Sequence, residues 1–211
     1  MTHAPNAREA LARLQAGNRR FVSRLGDPEA GAPPSRRLEL TAEQWPFAII
    51  LGCSDSRVPA ELVFDQGLGD LFVIRVAGNI VAPSQVGSVE FAAARFGTRL
   101  AVVLGHTQCG AVGATLEELR RPAPDQSPNL RSIVERIRPA VEPLFATPLV
   151  RQPEALMREA VRANIRAAAG QLRHASAILE RLIERDGLLI VGAEYSLETG
   201  IVEFFDAPAT P

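Results

Sequence analysis

The stretch FAIILGCSDSR, Phe47 to Arg57, is an apolar run that ends in a thiol, a carboxylate and a guanidinium within five residues: Cys53, Asp55 and Arg57. A run this short, apolar throughout and bounded by polar residues, reads as a strand buried on both faces rather than one side of a surface helix. Three further runs repeat it: LFVIRV (Leu71 to Val76), LAVVLGH (Leu100 to His106) and GLLIVGA (Gly187 to Ala193). Helical patterns lie between them, SQVGSVEFAAARFG from Ser84 and LRSIVERIRPAVEPLF from Leu130. In the second, Leu130, Ile133, Val134, Ile137, Val141 and Leu144 share one face. A long helical stretch from Glu154 to Glu184, with Gly170 as a candidate bend, precedes the fourth run. Strands alternating with helices predict an α/β fold, a mostly parallel central β-sheet flanked by helices. GIVEFF (Gly200 to Phe205) can add an antiparallel strand at an edge.

Outward from this body, NAREALARLQAGNRRFV (Asn6 to Val22) predicts an N-terminal helix, with Asn6 as N-cap, Glu9 three residues on, and Leu11, Leu14, Phe21 and Val22 near helical spacing. The proline- and glycine-rich GDPEAGAPPSRR links it to the rest. With little core of its own to enter, this arm is expected to pack on a second subunit, making a homodimer or tetramer. One domain is expected over residues 1–211, with arm and linker at 1–35 and the α/β core at 36–211. The least patterned part is 117–128, where RRPAPDQSP (Arg120 to Pro128) must be loop.

Composition narrows the chemistry. A formal net charge of −1 offers no basic field for a phosphate backbone, so nucleic acid is not an expected partner. No apolar run approaches the roughly 18 residues of a membrane span, and MTHAPNAREA has no secretory signature, so no membrane partner and a cytoplasmic location are expected. The chain contains no lysine, which excludes Schiff-base, pyridoxal phosphate and P-loop chemistry. Its only cysteines are Cys53 and Cys109.

Cys53 closes the first predicted strand and His106 the third, and Cys109 follows three positions later in GHTQCGAVGA. In a parallel sheet the strand carboxyl ends share one edge, so these residues can converge despite their separation in sequence. Taken singly, each is an ordinary core residue. Together they offer two thiolates and an imidazole, the ligands zinc prefers, and leave a fourth position for water, as catalytic sites do, or for the nearby Asp55. A phosphatase-like cysteine paired with Arg57 fits poorly, because that loop needs five residues between Cys and Arg and three stand here.

CSDSR followed by GHTQCG resembles the β-class carbonic anhydrases. The match runs through RVPAELVFDQGLGDLFVIRVAGNIV and GSVEFA, covering Gln44 to Val112. The resemblance implies zinc (Zn2+) on Cys53, His106 and Cys109, and reversible hydration of carbon dioxide to bicarbonate and a proton by a zinc-bound hydroxide. Asp55 and Arg57 would work as a dyad: the carboxylate orients the hydroxide and the guanidinium restrains the carboxylate. Phe72, Ala77 and Phe91 would line a narrow pocket, Gln44 would reach substrate across the dimer interface, and the Gly110 N–H would meet bicarbonate. At low pH Asp55 would become the fourth zinc ligand and close the site. Family members with a regulatory bicarbonate site carry a tryptophan three positions before the first zinc cysteine. Here Ile50 stands there, although Arg75 and Tyr195 match that site's other members. A hydrolase of carbon disulfide or carbonyl sulfide, and a non-catalytic zinc module with Asp55 as structural ligand, remain alternatives.

Overall fold

The apolar runs become strands β1 (Ala48–Gly52), β2 (Leu71–Arg75), β3 (Leu100–His106) and β4 (Leu189–Tyr195), all mutually parallel, and GIVEFF supplies β5 (Val202–Phe205), antiparallel to β4 at the sheet edge. The computed structural model describes residues 5–23, 40, 44–122 and 127–205. Strand order is β2-β1-β3-β4-β5. The chain passes from β1 to β2 on one side, while β3 flanks β1 on the other. The carboxyl ends of β1 and β3 therefore border the crevice where strand order reverses, the place such sheets use for ligands. Gly52 is level with Leu104, which brings the residue after β1 beside the last turn of β3.

Seven helices cover the sheet among the described residues: α1 (Ala7–Ser23), α2 (Ala60–Val63), α3 (Pro83–Arg95), α4 (Gly110–Arg120), α5 (Pro128–Val141), α6 (Pro153–Arg173) and α7 (Ala177–Arg185). Side chains alternate across the strands. Ala48 and Ile50 face α1 and α2, whereas Ile49 and Leu51 face α3, α6 and α7. A third cluster gathers Cys53 and Cys109 with Val112, Ile137, Leu156 and Ile165 beyond the strand ends. α6 approaches the sheet closely: a Cβ on Gly105 would stand 2.5 Å from the Ile165 side chain, and one on Gly192 2.8 Å from it.

α1 starts where its capping box predicts. Asn6 Oδ1 accepts from the Glu9 N–H and Glu9 Oε2 accepts from the Asn6 N–H, both at 3.0 Å. Its seat corrects one premise of the sequence reading, that the arm has little core of its own to enter. Ala10, Leu11 and Leu14 are buried in their own chain's core with Val63, Phe64 and Val202. Asn18, 5% exposed, donates to the carbonyls of Val63 (3.1 Å) and Gly200 (2.9 Å) and accepts from the Val202 N–H (2.9 Å). The chain does hold a place for this helix, between α2 and β5. The linker expected after it falls largely on residues 24–39, outside the described ones.

Two boundaries also differ. α6 continues through Gly170, because a single glycine costs only about 1 kcal/mol in a helix that buries one full face. The break comes at His174–Ser176, where the Ser176 hydroxyl accepts from the Leu179 N–H at 3.2 Å and starts α7. α4 extends to Arg120, the first residue of the expected loop; positions 123–126 lie outside the described residues. Among the described residues no helix is long and apolar enough to cross a membrane.

Candidate metal centre

Three segments converge at the carboxyl edge of the sheet. Cys53 follows β1, His106 ends β3, and Cys109 is the N-cap residue of α4 after a turn in which Gln108 has φ 56°. All three side chains are buried. The two Sγ atoms lie 4.0 Å apart, and the ligand atoms of the trio are all within 4.8 Å of one another. Nδ1 of His106 is 2.9 Å from the Thr107 carbonyl, which fixes that nitrogen as the N–H donor and leaves Nε2 with its lone pair. Nε2 is buried and has no hydrogen-bond partner. A buried acceptor without a donor is costly, and a cation facing two thiols removes the cost.

The thiols behave as a coupled pair. Cys53 is pulled below the usual thiol range, first by its contact with Cys109 and against the effect of burial, with help from His106 and the N–H groups of Asp55 and Gly78. Cys109 is pushed up, first by the contact with Cys53, then by burial and by repulsion from a thiolate there. Two thiolates this close repel each other, so ionising both calls for a cation between them. Burial disfavours the His106 imidazolium, yet Cys53, the Thr107 carbonyl and Asp55 outweigh it and raise its pKa.

Beside the trio, Arg57 clasps Asp55 through both carboxylate oxygens, Nε to Oδ1 at 2.9 Å and Nη2 to Oδ2 at 2.8 Å, and its backbone N–H adds a bond to Oδ1 at 3.0 Å. These bonds hold the Asp55 carboxyl well below the usual carboxylate range. Oδ2 also lies 3.7 Å from Nε2 of His106, so the carboxylate borders the cluster without joining it. The loop is pinned from behind by Arg75, which donates to the carbonyls of Cys53 (3.1 Å) and Asp55 (2.6 Å). Gly78, next to Ala77, donates its N–H to Sγ of Cys53 at 3.3 Å, and Nδ2 of Asn164 on α6 donates to the Gly78 carbonyl at 2.9 Å. Gly110 is exposed at the head of α4, with open space where a side chain would be.

Within one chain, Cys53, His106, Cys109, Asp55, Arg57 and Gly110 gather in this way, and Ala77 immediately precedes Gly78, whose N–H meets Cys53. The other expected residues do not join them. Gln44 precedes β1 while Cys53 follows it, a separation of about 16 Å for five strand residues. Phe72 on β2 packs with Phe91 (6.2 Å between centroids) and Phe96 (6.0 Å) on the far part of the sheet, and Phe91 is 53% exposed. Nor do Ile50, Arg75 and Tyr195 form a second site in this chain. Ile50 is buried, and Arg75 and Tyr195 end strands separated by β1 and β3, about 14 Å. Sequence reasoning linked Arg75 only to regulation and did not single out Asn164. Both act on backbone carbonyls, which leave no mark in a motif.

Comparison with known proteins agrees with this arrangement. Residues 48–202 match the family model described as carbonic anhydrase. The chain is 39% identical over 193 residues to the carbonic anhydrase of Mycolicibacterium smegmatis, covering 90% of this chain and 89% of that one. It is 37% identical over 190 residues to carbonic anhydrase 2 of Mycobacterium tuberculosis, covering 89% and 87%. Among solved structures, the β-carbonic anhydrase CcaA superposes with a TM-score of 0.68 at 26% identity, over 94% of this chain and 92% of that one. One of two tetrameric β-carbonic anhydrases of Sordaria macrospora shares the fold, with a TM-score of 0.71 at 23% identity over 84% and 89%. With the buried Cys-His-Cys cluster at the strand switch, these matches lead to one conclusion: the chain belongs to the β-class carbonic anhydrases.

Proposed function

We propose that the chain is a zinc enzyme for the reversible hydration of carbon dioxide to bicarbonate and a proton, with Cys53, His106 and Cys109 holding the metal. The observation that carries this reading is the lone, partnerless Nε2 of His106 facing two thiols in a buried cluster. The dimensions suit zinc: a tetrahedral ion with Zn–S bonds of about 2.3 Å sets its sulfurs about 3.8 Å apart, beside the 4.0 Å found. Zinc bound there supplies a Lewis acid that makes water a nucleophile near neutral pH.

The chain's own groups supply orientation. Asp55 is ionised at neutral pH and so only accepts hydrogen bonds; its Oδ2, on the His106 side, holds the proton of the attacking oxygen and turns the lone pair toward carbon. Arg57 keeps that carboxylate in place. Its release would free Asp55 to become a fourth ligand, a closed state favoured by acid. Ala77 borders the substrate, and the Gly110 N–H, unpaired at a helix start, meets the negative charge of bicarbonate.

Gln44, Phe72 and Phe91 are assigned to the site of a partner subunit in a homodimer or larger assembly. Support comes from two large apolar side chains left exposed, Trp45 (66%), next to Gln44, and Phe91 (53%), over β2, the edge strand among the described residues. The test is stopped-flow carbon dioxide hydration on protein of measured zinc content. The parent should turn over with about one zinc per chain, and Cys53→Ser should lose zinc and activity together. A zinc-replete but inactive parent would return the fold to the alternatives, carbon disulfide or carbonyl sulfide hydrolysis or a non-catalytic zinc module.

A further inference from the structure

The turn after β2 is conformationally demanding. Gly78 sits at φ +70° and the buried Asn79 at φ 44°, both in the left-handed region. A Cβ on Gly78 would stand 2.8 Å from Cδ1 of Ile137 and 3.1 Å from Cβ of Ala111, so position 78 needs glycine for space as well as for angle. Glycine alone does not choose this geometry, since it populates many others about as readily. Some neighbour must select it.

Two bonds meet at this residue. Its N–H donates to Sγ of Cys53 at 3.3 Å, and its carbonyl receives Nδ2 of Asn164 at 2.9 Å. The two groups belong to successive peptide planes hinged at one Cα. Tethering the carbonyl restricts ψ, and packing against Ile137 restricts the Cα, so the N–H stays trained on sulfur. Asn164 is itself closely packed: it is 3% exposed on α6, and the next residue, Ile165, is wedged against Gly105 and Gly192. An amide buried this deeply on a helix that otherwise contributes Leu156, Ala160, Val161 and Ile165 to the core is poor packing material. Its use is to bind the Gly78 carbonyl.

We propose that Asn164 is a positioning residue for the metal ligand Cys53, acting through Gly78 to keep an N–H donor on the thiolate. This rests on the zinc reading above. A donor on a thiolate draws electron density from sulfur, eases the repulsion between two thiolates that share an ion, and fixes the ligand's direction; outer partners of this kind are worth roughly 10- to 100-fold in metal affinity.

The test uses the full chain loaded with zinc or with cobalt(II), with zinc retention against a chelator and the thiolate-to-cobalt charge-transfer band as readouts. Asn164→Leu removes the donor at similar shape. It should move the band to lower energy, because an unbonded sulfur is the better electron donor, and weaken zinc retention by about 10-fold or more. Asn164→Ser, too short to reach the Gly78 carbonyl, should shift both readouts in the same direction if the leucine variant does not fold. Leu172→Ala, fully buried on the same helix, should lower stability while leaving the band and zinc retention at parental values. Asn164 variants with the parental band and zinc affinity would overturn the proposal, as would a Leu172→Ala that shifts both equally. A parent that takes up neither metal would instead overturn the zinc reading, and this inference with it.

Discussion

Replacing Asn18 by alanine tests whether α1 belongs to the core of its own subunit. Three hydrogen bonds disappear, from Nδ2 to the Val63 and Gly200 carbonyls and from the Val202 N–H to Oδ1. At about 1 kcal/mol net for each bond the loss is about 3 kcal/mol, and each buried partner left unsatisfied adds to it wherever water cannot enter. Alanine returns about 0.7 kcal/mol through better helix propensity. The net cost is therefore about 2–4 kcal/mol, which for a chain of this size is roughly 5–15 °C in Tm. Urea unfolding and calorimetry, at matched zinc content and at two protein concentrations a factor of ten apart, separate folding from association. The contacts lie within one chain, so the deficit should be the same at both concentrations. A deficit below about 1 kcal/mol, or one that vanishes at the higher concentration, would mean that α1 leaves this seat for a partner.

Cys109→Ser and His106→Ala should each lower zinc content and hydration in step, whereas Arg57→Ala should retain zinc and lose hydration; an Arg57→Ala protein of parental activity at every pH would remove the clasp from the mechanism. The same variant gives a stability test whose sign is fixed. Arg57 depresses the Asp55 pKa, so the pair's contribution is fully present above the unfolded carboxyl value of about 3.9 and is lost as pH falls from there toward the folded value. The unfolding free-energy gap between parent and variant should be flat from neutral pH to about 5 and narrow below about 4; widening on acidification contradicts the assignment. Gln44→Ala should keep its zinc and lose hydration, and mixing it with Cys53→Ser subunits should restore activity, because the hybrid has one site with both groups intact. No recovery in verified hybrids would remove Gln44 from the partner's site.

Strands were legible because burial on both faces leaves continuous apolar runs, and β1 and β3 are buried along their whole length. The convergence of Cys53, His106 and Cys109 was legible because each sits at a strand end or helix start that the pattern locates. Helix ends were harder. Gly170 is the weaker helix former, yet the chain breaks at Ser176, where a hydroxyl caps the next helix. The seat of α1 was hidden because its decisive contacts join Asn18 to residues 45 to 184 positions away, and two of the three are to carbonyls without side-chain identity. Asn164 was hidden for the same reason, its partner lying 86 positions away.

The wedge of Ile165 between Gly105 and Gly192 has a consequence for how this enzyme can change. Those three positions share one volume, so none can drift alone: a methyl gained at 105 must be matched by the loss of both Cδ1 and Cγ1 at 165. Gly105→Ala alone and Ile165→Ala alone should each be damaging, while the double substitution, which removes both Cδ1 and Cγ1 from the path of the new methyl, should be better than their sum, an epistatic pair in the strict thermodynamic sense. Because Gly105 immediately precedes His106, a substitution that pushes the helix off the strand also shifts the imidazole of the Cys-His-Cys cluster. Selection for catalysis and selection for packing therefore act on the same few atoms. Engineers seeking a more stable variant would do best to leave this joint alone and begin on the opposite face, under α1.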